Sequence, residues 1–249
     1  MILYPDAKIN LGLNVLRKRE DGYHALETLF VHCPVLRDEL CVEPSDSLKV
    51  DISPCGWDPG KDLTVRAWQL LRDDFGIPPV SIKLRKGIPV GAGLGGGSSD
   101  AAFMLKALNS LFSLGLSQPE LASYAARLGS DCAFFIYDAP MLGEGRGEIL
   151  TPFGIDLSRY EIRVEIPQGV SVSTAEAYKG VLMHEGEPLR RTLERPVEQW
   201  REYLGNSFEK TVFAAHPEIA RLKESFYEEG AVYASMSGSG SSVFGLFEK

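Results

Sequence analysis

From Ala7 to Leu16 apolar and polar residues alternate strictly. Ile9, Leu11, Leu13 and Val15 share one face, and Lys8, Asn10, Gly12 and Asn14 share the other. This is the period-two pattern of a β-strand. Its polar face carries one cation and two amides rather than the mixed charges of a solvent face, so two readings stand: a half-exposed strand, or a face that meets a ligand. A polar turn over 17–22 closes with Asp21-Gly22, and Tyr23 and His24 follow at once. Strands are predicted at 27–35, 39–43 and 48–52, a β-rich meander. Residues 62–75 predict a helix with Leu63, Ala67, Leu70 and Leu71 on one face and Asp62 as its N-cap. Residues 80–84 alternate again, and from Ala101 the apolar residues Leu105, Leu108 and Phe112 recur at helical steps.

Further on, Ser117-Gln118-Pro119-Glu120 is a capping box with proline in the first turn, and Gly129 is the expected left-handed end of that helix. Asp131 stands between that end and the apolar run 133–137; it reads either as a cap or as a chemical group. Residues 144–148 predict a tight turn and 156–159 a domain boundary. Strand 160–166, helices opening at 174–178 and 206–213, a charged helix over 216–228, and strands 232–236 and 243–247 complete the chain. The last two strands are joined by Ser237-Gly238-Ser239-Gly240-Ser241-Ser242, which is either a hairpin turn or a ligand loop. This alternation predicts an α+β fold ending in a small sandwich, divided into 1–155 and 156–249. There is no internal repeat, low-complexity tract or long linker.

The densest signal lies between strand 80–84 and the helix after it. Five of the fourteen residues from Pro89 to Ala102 are glycine. A glycine-rich turn entering a helix N-terminus offers bare N–H groups and the positive end of the helix dipole to a phosphate chain. A P-loop is excluded, because Gly97 stands where its lysine is required. Gly91, Gly93 and Gly96 match the dinucleotide fingerprint literally. The acid that fingerprint needs about 20 residues on is missing, since residues 115–120 open another helix.

Composition narrows the function classes. The chain has 249 residues, 44% hydrophobic and 24% charged, enough for one large or two modest domains. A net charge of −8 argues against a nucleic-acid partner. No apolar run reaches membrane-span length, and 1–5 lacks the basic and apolar regions of a secretory signal. Cys33, Cys41, Cys55 and Cys132 show no metal-ligand spacing and read as reduced thiols of a cytoplasmic protein.

The order Pro89, then Gly93-Leu94-Gly95-Gly96-Gly97-Ser98-Ser99, then Ala101-Ala102 resembles the phosphate loop of the GHMP kinases, with one extra glycine before the serine pair. The Lys8 strand and the late loop at 237–240 fall in that family's order. One branch, whose acceptor alcohol is a methylerythritol carried on cytidine diphosphate, is similar over nearly the whole chain. The matching segments are Pro5-x-Ala7-Lys8-Ile9-Asn10-Leu11, Asp21-Gly22-Tyr23-His24, the triple glycine, and Leu128-Gly129-Ser130-Asp131. The chain departs from it with Cys132-Ala133 for Val-Pro, Asp62 for an asparagine, Asn206-Ser207 for Asn-Asp, and a short second domain.

The resemblance implies a two-domain fold, a ribosomal protein S5 domain 2-like half followed by a ferredoxin-like α/β sandwich. It implies ATP-dependent phosphorylation of the acceptor's 2-hydroxyl in isopentenyl diphosphate synthesis by the non-mevalonate route. A homoserine- or mevalonate-type kinase and a non-catalytic nucleotide-binding regulator are the alternatives. It makes Asp131 the general base and Lys8 its partner. ATP would be held by Lys86 and by Pro89, Val90, Gly91, Ala92, Gly93, Leu94, Gly95, Gly96, Gly97, Ser98 and Ser99, with Mg²⁺ near Ser98 and Ser99. Asn10, Tyr23, His24, Tyr178, Ser237, Gly238, Ser239 and Gly240 would hold the acceptor. Taken without the resemblance, His24 reads as a surface residue and Tyr178 as core. The small molecule is the expected partner, and the protein a monomer or weak homodimer.

Overall fold

The computed structural model describes residues 1–249. The first half runs β1 (Ile2–Leu3), β2 (Asp6–Lys18), β3 (His24–Arg37), β4 (Glu39–Pro44), β5 (Lys49–Ser53), α1 (Leu63–Phe75), β6 (Val80–Arg85), α2 (Gly96–Leu111) and α3 (Gln118–Ala126). The hairpin β7 (Met141–Glu144) and β8 (Ile149–Pro152) follows, then β9 (Tyr160–Glu165), α4 (Thr174–Tyr178), α5 (Leu189–Leu193) and α6 (Trp200–Tyr203). The chain ends with α7 (Glu209–Ala215), α8 (Pro217–Glu228), β10 (Tyr233–Met236) and β11 (Val243–Glu248). No helix is long and apolar enough to cross a membrane.

Local chemistry sets most of these bounds. The Asp62 carboxylate accepts the Thr64 N–H at 2.9 Å and the Thr64 hydroxyl at 2.6 Å, which starts α1. The capping box of Ser117 and Glu120 starts α3. Two expectations are corrected. Helix α3 stops at Ala126, and Gly129 is not left-handed; a side chain there would meet the Cys132 sulfur at 3.2 Å, so close approach is what calls for glycine. The helix expected from Asn206 begins at Glu209, because the Asn206 side chain accepts the Phe208 N–H and holds a turn instead. The short helices α5 and α6 have no counterpart in the sequence pattern.

Two compact units form. One comprises Met1–Ala7, Leu36–Val90 and Gly95–Asp138. Its sheet has the order β1-β4-β6-β5, antiparallel except for the β5–β6 pair. Leu40, Val42, Ile82 and Leu84 of this sheet are buried, as are Trp68 of α1 and Leu105 of α2. The other unit comprises Lys8–Val35, Gly91–Leu94 and Ala139–Lys249. It contains the sheet β2-β3-β7-β8 and the antiparallel sheet β10-β11-β9. In its core, Leu13 and Val15 of β2 pack with Phe208, Val212, Phe226 and Met236.

Compactness therefore does not divide the chain at 155/156. Strand β2 belongs with the late residues because its backbone is bonded to them. The Leu13 N–H donates to the Gly205 carbonyl at 2.9 Å, and the Ser207 N–H donates to the Leu13 carbonyl at 2.8 Å. The Val15 N–H donates to the Ser207 hydroxyl at 3.0 Å.

Candidate active site

In the unit holding α2, the helix begins without a side-chain cap. Its N-cap is Gly95, at φ +72, and supplies no hydrogen bond from a side chain. The Ser99 N–H donates to the Gly95 carbonyl at 2.9 Å and closes the first turn. The N–H groups of Gly96, Gly97 and Ser98 thus begin the helix as the unsatisfied donors that attract an anion. Pro89 and Val90 on the approach are exposed.

Lys86 is not on that open surface. Its ammonium is ion-paired to Asp38 and Asp100, with all three side chains at most 5% exposed. The second Asp38 oxygen accepts the N–H groups of Gly87 at 2.6 Å and Ile88 at 2.8 Å. Burial pulls the Lys86 ammonium down, but Asp100 and Asp38 more than offset it and its pKa stands above the ordinary lysine value. Burial pushes the Asp100 carboxyl well above the usual carboxylate range; Lys86 opposes the shift and the like charge of Asp38 adds to it. Lys86, expected among the ATP ligands, is instead enclosed by two carboxylates where it pins β6 and its loop to the first turns of α2.

Asp131 is half-buried in the turn 129–132. Burial pushes the neighbouring Cys132 thiol up to about 11, an inert, protonated group; the Ser98 hydroxyl at that thiol only partly offsets this. Ser98 is half-buried, whereas the Ser99 hydroxyl is fully buried with no partner. No group of three or more His, Cys, Asp or Glu side chains could hold a metal ion. Of the two serines expected near magnesium, Ser98 is the more accessible. Asp62, where the family branch has an asparagine near the adenine, is engaged as the α1 cap and also accepts the Trp57 indole N–H at 3.1 Å.

In the other unit the polar face of β2 is buried, which decides between its two readings against the half-exposed strand. Lys8, Asn10 and Asn14 are at most 5% exposed. The Lys8 ammonium donates to Asn10 Oδ1 and lies 5.6 Å from the centroid of the Phe30 ring. The Lys8 backbone N–H donates to the Leu94 carbonyl at 2.9 Å. Both glycine loops press on this spot. A Cβ on Gly238 would lie 3.2 Å from Lys8 Nζ, and a Cβ on Gly93 would lie 2.1 Å from the Ser237 carbonyl oxygen. The Ser237 hydroxyl donates to the Gly93 carbonyl at 3.0 Å, and the Ser242 hydroxyl donates to the Ala92 carbonyl at 2.6 Å. The late loop is therefore not a free hairpin turn. It is bolted to residues 92–93.

Asn206 and Glu209 hold the late loop from behind. The Asn206 amide donates to the carbonyls of Met236 at 2.9 Å and Gly238 at 2.8 Å. Glu209 accepts the Ser235 hydroxyl and the Met236 N–H, each at 2.9 Å. Ser239 and Thr174 of α4 lie 3.5 Å apart through their hydroxyls.

His24 and Tyr178 are brought together as a stack, with ring centroids 4.7 Å apart and planes within 22°. Phe208 meets Tyr178 edge-on at 4.7 Å. Tyr23 is exposed, with the Arg146 guanidinium over its ring at 4.9 Å. Sequence reasoning missed Asp38, Asp100, Asn206 and Thr28, the last of which bonds Asn10. Of these, Asp100 alone carried a local signal, as a charge on the buried side of an amphipathic helix.

Comparison with known proteins shows the family. The model of the GHMP kinases N terminal domain matches residues 62–139, and that of the GHMP kinases C terminal domain matches 189–249. The chain belongs to the GHMP kinase family, in its 4-diphosphocytidyl-2-C-methyl-D-erythritol kinase branch. It is 50% identical to the kinase of that name from Bacteroides thetaiotaomicron, covering all of this chain and 92% of the relative. It is 40% identical to that from Nitratidesulfovibrio vulgaris, covering 97% and 88%. A crystal structure of 4-(cytidine 5'-diphospho)-2C-methyl-D-erythritol kinase superposes with a TM-score of 0.84 at 36% identity, over 99% of this chain and 90% of the other. A homoserine kinase from Cytophaga hutchinsonii, at 18% identity and a TM-score of 0.64, shares the fold.

Proposed function

We propose that the protein transfers the γ-phosphoryl group of ATP to the 2-hydroxyl of 4-diphosphocytidyl-2-C-methyl-D-erythritol, in isopentenyl diphosphate synthesis by the non-mevalonate route. Identity of 50% across the whole chain supports the acceptor. The observation that carries the chemistry is the buried Lys8 ammonium beside Gly238 of the late loop, on a strand whose Lys8 backbone N–H is bonded to Leu94. A buried ammonium at a glycine loop is suited to charge that develops only in the transition state.

The uncapped N-terminus of α2 receives the phosphates. Ser98 would help to hold a magnesium ion beside the phosphates, where the ion would supply charge neutralisation. The acceptor oxygen attacks the γ-phosphorus, the bond to the β-phosphate oxygen breaks, and ADP leaves. The hydroxyl proton passes to the Asp131 carboxylate. Because an aspartate is a far weaker base than an alkoxide, transfer comes late, as bonding to phosphorus acidifies the oxygen. Lys8 stabilises the developing negative charge. The base of the acceptor contacts the outer side of the His24–Tyr178 pair, with Tyr178 bracing His24 from behind; rings 4.7 Å apart leave no gap for a base between them. The loop at 89–99 serves as the phosphate cradle, and residues 237–240 serve the acceptor. Lys86 is left out of the nucleotide ligands and acts beneath the loop. The protein works in the cytoplasm on a small molecule, as monomer or weak homodimer, and the functional halves are 1–155 and 156–249.

The test is coupled ATP turnover with the cytidyl acceptor, homoserine and mevalonate side by side. Only the cytidyl acceptor should support ADP release. Asp131→Asn and Lys8→Met should each lower kcat by about 10²-fold or more, and Asp131→Asn should still bind ATP. Near-normal turnover by Asp131→Asn would remove the base, and turnover with homoserine or mevalonate instead would remove the acceptor.

A further inference from the structure

Behind Lys8 lies a relay whose hydrogen-bond polarity has a single solution. The Thr28 hydroxyl, on β3, sits 2.6 Å from the Gly12 carbonyl of β2 and 2.9 Å from Asn10 Nδ2. Both Thr28 and Asn10 are at most 2% exposed, so water does not compete. A carbonyl can only accept. The Thr28 proton must therefore go to Gly12, and its oxygen is left only to accept. The group that donates to it must be the Asn10 NH₂. This turns Asn10 Oδ1 toward the Lys8 ammonium, which can only donate. The Ser237 hydroxyl lies 3.5 Å from the same Oδ1, but its single proton goes to the Gly93 carbonyl at 3.0 Å, so Lys8 is the donor that Oδ1 answers. A flipped amide would set NH₂ against NH₃⁺ at one end and oxygen against oxygen at the other. Gly12 anchors the relay. At φ +70 it breaks the pleat of β2, and a Cβ there would lie 2.5 Å from Leu189 and Leu204 side-chain carbons.

We propose that Thr28 is a positioning residue for phosphoryl transfer: through Asn10 it fixes where the Lys8 ammonium is held. This rests on the role given to Lys8 above. Without the Thr28 hydroxyl the Asn10 NH₂ loses its acceptor, the amide is held at its Oδ1 end alone, and the acceptor that faces Lys8 is less firmly placed. The effect falls on the transition state rather than on ground-state binding, so it appears in kcat.

The experiment is steady-state kinetics of Thr28→Val, Thr28→Ala and Thr28→Ser, alone and combined with Lys8→Met. Thr28→Val, close in shape, should lower kcat by about ten- to a hundredfold, the scale of a misplaced reacting group, with both KM values within about twofold. Thr28→Ser, which keeps the relay, should restore most of the rate. In the Lys8→Met background, Thr28→Val should have almost no further effect on kcat, because both act on one group. A merely structural Thr28 would reduce activity in both backgrounds alike and in step with thermal stability. Should Thr28→Val lose its cooperative melt, Thr28→Ala takes its place with the same expected kcat loss. Normal kcat in Thr28→Val with a crippled Lys8→Met would overturn the relay alone. Normal kcat in Lys8→Met would overturn the reading of Lys8 itself.

Discussion

The contact between the two glycine loops can be tested at Gly93 with Gly91 as its control. Both lie in the left-handed region, at φ +78 and +74. Alanine at either therefore carries the same conformational cost, about 1–2 kcal/mol. Their surroundings differ. A Cβ at Gly91 meets nothing within 4 Å, while one at Gly93 would lie 2.1 Å from the Ser237 carbonyl oxygen and 3.0 Å from that of Gly240. Those are backbone atoms, so the loops must part by an ångström or more. Parting removes the Ser237 hydroxyl bond to Gly93 and both Ser242 bonds to Ala92, from its hydroxyl and its N–H. At about 1 kcal/mol for each bond, Gly93→Ala should lose roughly 4–5 kcal/mol in all, against about 1–2 for Gly91→Ala. For a chain of this size each kcal/mol lowers Tm by about 2–4 °C, which separates the two variants by roughly 6–12 °C. Differential scanning calorimetry reads the stability and ATP titration the function. Gly93→Ala should also weaken ATP binding, because residues 92–94 lose their backing. Equal melting temperatures for the two variants would refute the interlock.

Two other outcomes follow from the structure. His24→Ala should raise KM for the cytidyl acceptor by about tenfold, the value of an aromatic stack on a base, Tyr178→Ala should raise it less because that ring only braces His24, and both should leave KM for ATP unchanged; equal rises in the KM values for acceptor and ATP would place the base elsewhere. The Asp100 carboxyl titrates well above the usual range because it is buried, so between about pH 4 and its folded value the native state holds a proton that the unfolded chain has lost, and stability falls as pH rises through that window. Asp100→Asn should flatten that decline in urea melts while keeping the Lys86–Asp38 pair, and an unchanged slope would mean that Asp100 is ionised throughout.

What the sequence disclosed was what is local. The α1 cap at Asp62, the Ser117 capping box and the glycine run into α2 each occupy a few adjacent residues, so their chemistry is visible without a fold. The polar face of β2 was not legible in the same way. Alternation reports two faces and not what covers them, and here the polar face meets Thr28 and residues 237–238. The resemblance makes Lys86 an ATP ligand, and only Asp38 and Asp100, at 48 and 14 positions' remove, show it to be enclosed. His24 and Tyr178 carry no mutual signal in sequence; the unit that folds residues 8–35 with residues beyond 138 makes them a stack. Gly129 misled because glycine after a helix has two uses, a left-handed end and a close approach, and the second applies.

The bonds between β2 and residues 205–207 also order events in time. Leu13 of β2 and the residues that complete its strand, 205–207, are made almost two hundred residues apart. At about 5–20 residues per second that interval is roughly 10–40 s. Through it, the apolar residues Leu13 and Val15 have no Phe208 or Met236 to pack on. Synthesis therefore leaves the pairing and packing of β2 until late, and the waiting strand is a segment on which a chaperone would have time to act.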